Sequence, residues 1–231
     1  KSGSNQFKGT AYFFGRNEDW VGDSPTGTKI GAFKDQQFGG SLGGRIIQNK
    51  AFFFGNIDWG RRDNPSGISV AGTGQQFGRS EDITRFRNIL QNRYGYDPGT
   101  LDEFVRTINN DKIFVRADFN LGQTHQLIAR HNYLDARNDI GRPDLTNYFM
   151  PDFFYLFKDK TNSSVVQLNS TFGAAVNELR FTYQRIRDRR GGQPFEARPF
   201  PAVRVDISGG GNVRAGRENF STANELDQDV Y

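Results

Sequence analysis

Two histidines and no cysteine limit the chemistry that this chain of 231 residues can carry. Thiolate metal sites, disulfides and cysteine nucleophiles are excluded. His125 and His131 sit six positions apart, which on a strand is ~20 Å, too far for one metal ion to bridge. His125 reads as a turn residue and His131 as a structural residue on an apolar face near a strand end. Asp135, Asp139 and Asp144 dot the segment "LDARNDIGRPD", read as a loop. Their spacing departs from a calcium loop and the closing glutamate is missing, so solvated carboxylates are the better reading. "GGSLGG" lacks the following helix and Lys-Ser/Thr pair of a phosphate loop. Asn162, Asn169 and Asn219 fit N-x-S/T, a pattern that is common by chance. The expectation is no enzyme, with no catalytic residue, no cofactor and no metal.

Two constellations remain. Lys8, Arg45, Arg116, Arg130 and Arg180 recur at alternate positions, with Asp58, Asp118 and Glu178 as their partners. The segment "LTNYFMPDFFYLF", Leu145–Phe157, is aromatic enough to stack on sugars or hold a hydrophobic ligand, or simply to pack against other loops. Both readings depend on what the surrounding elements are.

A hydrophobic fraction of 35% and a charge of +4 would suit a disordered chain, but aromatics reach 14%, with 22 Phe. Disordered chains are aromatic-poor. The basic residues are scattered and nearly balanced, 30 Lys and Arg against 26 acids, so a mixed-charge wet surface is expected and no nucleic-acid partner. No apolar run approaches the ~18 residues of a membrane helix, and no signal peptide is visible. The single methionine, Met150, is internal, and the chain reads as a piece of something longer.

Period-two alternation marks strands at residues 6–16, 37–46, 51–60, 112–122, 126–135, 163–172 and 177–187, with an eighth beginning at 227–231. They are longer than the ~5–6 residues usual in globular proteins. Short connections (47–50, 123–125, 173–176) alternate with long ones (17–36, 61–111, 136–162, 188–226). In an up-and-down meander, alternate connections share an end, so one end is trimmed and the other elaborated. Outer-membrane barrels are built this way, with short periplasmic turns and long extracellular loops. The longest loop predicts a helix from Ser80, with Ile83, Phe86, Ile89 and Leu90 on one stripe and Gly95 as its stop. Thr100 and Glu103 predict a second short helix through Ile108. These helices fold the loop onto itself or form a ligand lid.

Alternation also assigns faces. Phe38, Gly40, Leu42, Gly44 and Ile46 oppose Gln37, Ser41 and Arg45, and Ala51, Phe53, Gly55, Ile57 and Trp59 oppose Asn56 and Asp58. Setting Ile46 against Ala51 pairs Gly44 with Phe53, Leu42 with Gly55, Gly40 with Ile57 and Phe38 with Trp59. Each glycine would then be covered by a large neighbour, which lets a sheet curve without holes. The aromatic pair falls at the long-loop end, where a membrane girdle would lie. Ile113, Val115, Ala117, Phe119 and Leu121 face one way, and matching faces sets Val115 against Tyr133 and Asp118 against Arg130. In the last hairpin Gln167, Asn169, Glu178, Arg180 and Gln184 are polar-side, whereas Val166, Leu168, Phe172, Leu179, Phe181 and Tyr183 are apolar-side. Phe38, Phe53, Ile57, Trp59, Val115, Phe119, Tyr133, Phe181 and Tyr183 are thus expected to face lipid or form its girdle. Lys8, Arg45, Asp58, Arg116, Asp118, Arg130, Glu178 and Arg180 are expected in a lumen, holding a plug or lining a substrate path.

A soluble sheet of this size needs a second apolar layer, and polar loops do not supply one. Lipid does. The expected fold is all-β, an antiparallel meander of 7–8 long strands forming part of a large transmembrane β-barrel, with short helices in one extracellular loop. An open edge in hydrocarbon is costly and bacterial barrels have even strand numbers. Further strands beyond Tyr231 are therefore expected.

The stretches "KSGSNQFKGTAYFFGRN" and "QFGGSLGGRIIQNKAFFFGNIDWGRR" resemble the lead-in and second hairpin of the TonB-dependent outer-membrane receptors, in particular the Oar-like group. Arg45 stands where that pattern often has proline. "LIARHNYLDARND", "NELRFTYQR" and "GRENFSTANELDQDVY" are similar to later strands and a loop, in order. The resemblance spans nearly the whole chain, 1–231, as a partial barrel domain of a Gram-negative bacterium. It implies a 22-stranded plugged barrel and energised uptake, driven by the TonB–ExbB–ExbD complex through N-terminal parts. Partners would be outer-membrane lipid, the protein's own plug and its remaining strands. The plug, the TonB box and the N-terminal domain common in that group are not in this sequence, so no residue of theirs carries over. A passive porin or structural outer-membrane protein is one rival reading. A soluble secreted all-β binding module or glycan-active enzyme is another.

Overall fold

The computed structural model describes residues 3–23, 25, 27, 29–65, 68–70, 75–76, 80–102, 105–141, 146–192, 200–207, 210–216 and 225–231. Its elements, in chain order, are β1 (Lys8–Asn17), β2 (Lys34–Ile47), β3 (Ala51–Pro65), β4 (Ile68–Ser69), β5 (Gln75–Gln76), α1 (Ser80–Tyr94), β6 (Val105–Leu121), β7 (His125–Ile140), β8 (Asn147–Phe149), β9 (Tyr155–Phe172), β10 (Ala175–Gly192), β11 (Val203–Asp206), β12 (Asn212–Ala215) and β13 (Glu225–Val230). Single 3-10 turns cover Glu18–Trp20 and Pro151–Phe153.

Eight strands form one sheet in the order β1-β2-β3-β6-β7-β9-β10-β13, each pair antiparallel. Spatial order follows chain order, so the sheet is an up-and-down meander with β1 and β13 at its edges. The turns at 48–50, 122–124 and 173–174 lie at one end. Each contains one residue in the left-handed region, Asn49 (φ 60), Gly122 (φ 80) or Gly173 (φ 61). Such tight reversals require that conformation, and Asn and Gly adopt it most cheaply.

The register of β2 on β3 matches the parity expectation from Phe38↔Trp59 to Gly44↔Phe53. It departs at the turn. A bulge after Arg45 leaves Ile46 without a partner and sets Ile47, not Ile46, against Ala51. In the next hairpin the turn is one residue earlier than expected, because Gly122 opens it. His125 is therefore the first residue of β7, paired with Leu121, and the register moves by two. Val115 then faces His131 and Tyr133 faces Ile113, while Asp118 lies across from Ile128, not Arg130. A two-residue slip keeps every side chain on its expected face. His131 falls in mid-strand, and Asp135 and Asp139 lie in β7, not in a loop. The last hairpin turns on Gly173-Ala174 alone, with Ala175 already paired to Phe172.

The strands run further than alternation indicated. β9 and β10 have 18 residues each, against the ~9–11 tilted residues that cross a bilayer. β6 begins at Val105, so the second expected helix is absent: residues 105–108 are paired with β3, and Glu103 lies outside the described residues. The Thr100 hydroxyl instead accepts the Asp102 N–H, at 3.0 Å. The ladder with β3 outcompetes a local capping signal worth about 1 kcal/mol.

α1 forms where expected. Ile83, Phe86 and Leu90 are buried and Gly95 (φ 64) ends it, but Ile89 is 40% exposed because it sits off the stripe. The helix does not fold its loop onto itself alone. Ile83, Phe86 and Leu90 share a core with Tyr148, Met150, Val213 and Ala215. Tyr148 lies in β8, Met150 directly after it, and Val213 and Ala215 in β12, within a three-stranded sheet of order β11-β12-β8. Three long loops thus build one small core at the elaborated end. Residues 145–157 supply Tyr148, Met150, Phe153, Phe154 and Leu156 to buried positions, which is the packing reading of that aromatic segment; Leu145 lies outside the described residues.

Candidate functional site: two faces of a membrane wall

The apolar face of the large sheet is bare. Leu42 is 52% exposed, Val115 47%, Phe181 58% and Leu179 65%. Cross-strand rows connect Phe53, Ala117, Ala129, Val166 and Phe181, and Phe119, Leu127, Leu168 and Leu179. Phe38 and Trp59 stack with ring centroids 5.2 Å apart, and Phe13 pairs with Phe38 in the same row. Ile57 lies one row nearer the short turns, level with Ile113 and Tyr133. The Tyr133 hydroxyl donates to Asp135 at 3.1 Å, and Tyr183 leans on Tyr231 at 5.4 Å. Level with the Trp59 ring and one row beyond it the same face turns ionic, with Arg61–Asp111 at 2.5 Å and Lys160–Asp135 at 3.2 Å. On β2, β3, β7 and β10 an apolar stretch, an aromatic ring and charged side chains follow one another along this face, as a membrane's layers do.

Glycine coverage differs from expectation. Gly44 is covered by Phe7, not Phe53: a Cβ there would lie 2.5 Å from the Phe7 ring. Gly55 is open, with nothing nearer than Phe114 O at 4.0 Å, and Gly40 is crowded only by the Thr10 carbonyl. His131 sits on this face with Nδ1 2.8 Å from the Ser164 hydroxyl, and His125 makes the same contact with Ser170. Each imidazole has a polar partner. Among the described residues, no group of three or more His, Cys, Asp or Glu could hold a metal ion.

The opposite face carries Lys8, Arg45, Asp58, Arg116, Asp118, Arg130, Glu178 and Arg180. Asp118 is 3% exposed and is gripped at two oxygens by Arg116 of its own strand, at 2.8 and 2.6 Å. That i, i+2 fork replaces the expected pairing with Arg130. Asp58 accepts from the Tyr12 hydroxyl, from Gln37 Nε2 at 2.7 Å and from Lys112 Nζ at 3.4 Å, so four strands converge on one carboxylate. Arg180 pairs with Glu178 at 2.7 Å. Lys8, Arg45 and Arg130 have no ion-pair partner among the described residues. Sequence reasoning missed the aromatics of this face. Phe54 and Phe114 meet at 6.0 Å, and Phe52 lies between Arg45 and Asp118 with Gly3 against its ring. The signal was present: three consecutive phenylalanines, 52–54, must put two on the face opposite Phe53.

Residues 1–103 match the family model of an outer membrane beta barrel domain. The chain is a segment of outer-membrane barrel wall. No curated protein and no solved structure matches it. The wall lies in the bacterial outer membrane, crossing with strands; no described helix is long and apolar enough to span a bilayer. Its loop core stands at the elaborated end of the sheet, the extracellular end of such a barrel.

Within that loop core Asp152 ties three segments together. It accepts from the Tyr96 hydroxyl and, at 2.6 Å, from the Gly216 N–H. Burial pushes its carboxyl up to about 6, against those hydrogen bonds. The folded loops therefore hold this proton more tightly than the unfolded chain does. Their stability is full below pH ~4 and falls by about 3 kcal/mol as pH rises through 6. Surface proteolysis of the loops should be slower at pH 5 than at pH 7.5, and Asp152→Asn should flatten that difference. An unchanged pH profile in the variant would remove Asp152 as the cause.

Proposed function

We propose that the wall belongs to a TonB-dependent receptor of the Oar-like group, a non-enzymatic transporter whose interior holds a plug that moves when energised. The observation that carries this reading is the unspent chemistry of the inner face. Lys8, Arg45 and Arg130 carry charge without an ionic partner among the described residues, and Phe54 and Phe114 add apolar surface beside them. The Oar-like resemblance implies a wide, 22-stranded barrel of which this eight-stranded sheet is a part. A barrel of that width has a lumen that side chains alone do not fill. A plug with acidic and apolar groups would satisfy this wall, and the Arg116–Asp118 and Asp58 networks would keep the docking surface rigid.

The test uses the full-length protein in cells, with Asn132→Cys on the inner face and a bulky water-soluble maleimide. The sequence given contributes no cysteine background. A plugged, energised transporter labels slowly in cells lacking TonB or a proton gradient, and faster when both are present. A passive porin labels at one rate in every condition, and that result would refute the proposal.

A further inference from the structure

We infer that residues 3–7 form a hook at the trimmed end of the wall, which takes a pull on the chain before that pull reaches β1. The inference rests on the plugged-transporter reading above, in which the plug is drawn from its N-terminal side. The segment "GSNQF" is fitted to the β2–β3 hairpin. Gly3 lies against the inner-face ring of Phe52, so close that a Cβ would fall 2.2 Å from Phe52 Cβ and Cγ. Ser4 Oγ accepts the Gln6 N–H at 3.2 Å, which bends the chain. Asn5 Nδ2 donates to Asn49 Oδ1, and the Asn49 N–H donates back to Asn5 Oδ1 at 2.9 Å. Phe7 closes the outer side, with its ring over Gly44 and 6.2 Å from the Phe53 ring. The segment thus passes from one face of the wall to the other around the β2–β3 turn.

That turn is a firm mount. β6 grips it from the other side: Asn120 Nδ2 donates to Asn49 O at 3.0 Å, and the Asn120 N–H to Lys50 O at 2.7 Å. β1 alone is poorly placed to resist. Its ladder begins with Lys8 opposite Gly43, and a strand drawn away at its end frays pair by pair. The hook precedes Lys8 in the chain, so force from the N-terminal side meets the Gly3–Phe52, Asn5–Asn49 and Phe7–Gly44 contacts first. They pass it to β2, β3 and β6. The plug therefore rearranges about a fixed end and does not leave the barrel as a body.

The test uses the full-length protein in cells, with Asn132→Cys as the reporter and photoreactive benzoylphenylalanine in place of Ser4. Light should join position 4 to residues 48–53, as mapped by mass spectrometry. Gly3→Val should cut that yield severalfold, because its Cβ has no room beside Phe52. In the joined molecules, maleimide labelling at position 132 should still accelerate when TonB and the proton gradient are present. Acceleration before irradiation but not after it would mean that the hook must open, which overturns the inference and leaves the transporter reading standing. No acceleration in either state would sink both. A join that maps elsewhere, or one that survives Gly3→Val in protein shown to be folded by heat-modifiable migration, would overturn the hook as well.

Discussion

Arginine in place of Val115 should cost the barrel about 2–4 kcal/mol, because it puts a cation among acyl chains near the membrane midplane. Val115 is 47% exposed, lies two rows below the Trp59 ring, and has only Gly55 and His131 beside it. Neither neighbour offers a carboxylate. The same substitution at Asn132, adjacent in the chain to His131 but on the inner face, should cost less than about 1 kcal/mol, since that side chain meets water. Reversible urea unfolding of the full-length protein in vesicles measures both. Equal losses would mean that the two faces see the same medium.

Truncating Met150 to alanine should cost the loop core about 2–5 kcal/mol while leaving the wall standing. Met150 is fully buried among Tyr148, Val213 and the apolar stripe of α1, and its N–H donates to Arg214 O at 2.9 Å. The side chains around it come from three loops, so their release frees all three together. The strand ladders do not pass through that core, so the barrel should keep its heat-modifiable migration while protease added outside cells cuts the loops. Loss of the barrel along with the loops would show one cooperative unit where the packing indicates two.

The face of each strand residue was legible because the side-chain period of a strand is two, and a slip of two preserves it. That is why Phe38 and Trp59 were correctly paired from alternation, and why Val115 kept its face while losing its expected partner. Exact partners depended on where each turn begins, and Gly122 and the bulge at Ile46 each moved one. The inner ion pair was misassigned for the same reason: Asp118 found Arg116 two residues away once Arg130 had shifted. The loop core was not legible at all. Ile83, Tyr148 and Val213 come from separate loops, and no local periodicity links residues that only tertiary folding brings together. The capping signal at Thr100 was real but weak, and long-range pairing of β3 with β6 overrode it.

The most direct test of a lipid-facing wall is nitroxide labelling at Phe53, Ile57, Val115 and Phe181 in the full-length protein, compared with Asn132 and Gln184. The four apolar positions should collide freely with oxygen dissolved in the bilayer and be protected from a water-soluble nickel relaxant. Protection from both reagents at those four, as under a covering protein layer, would contradict the membrane placement.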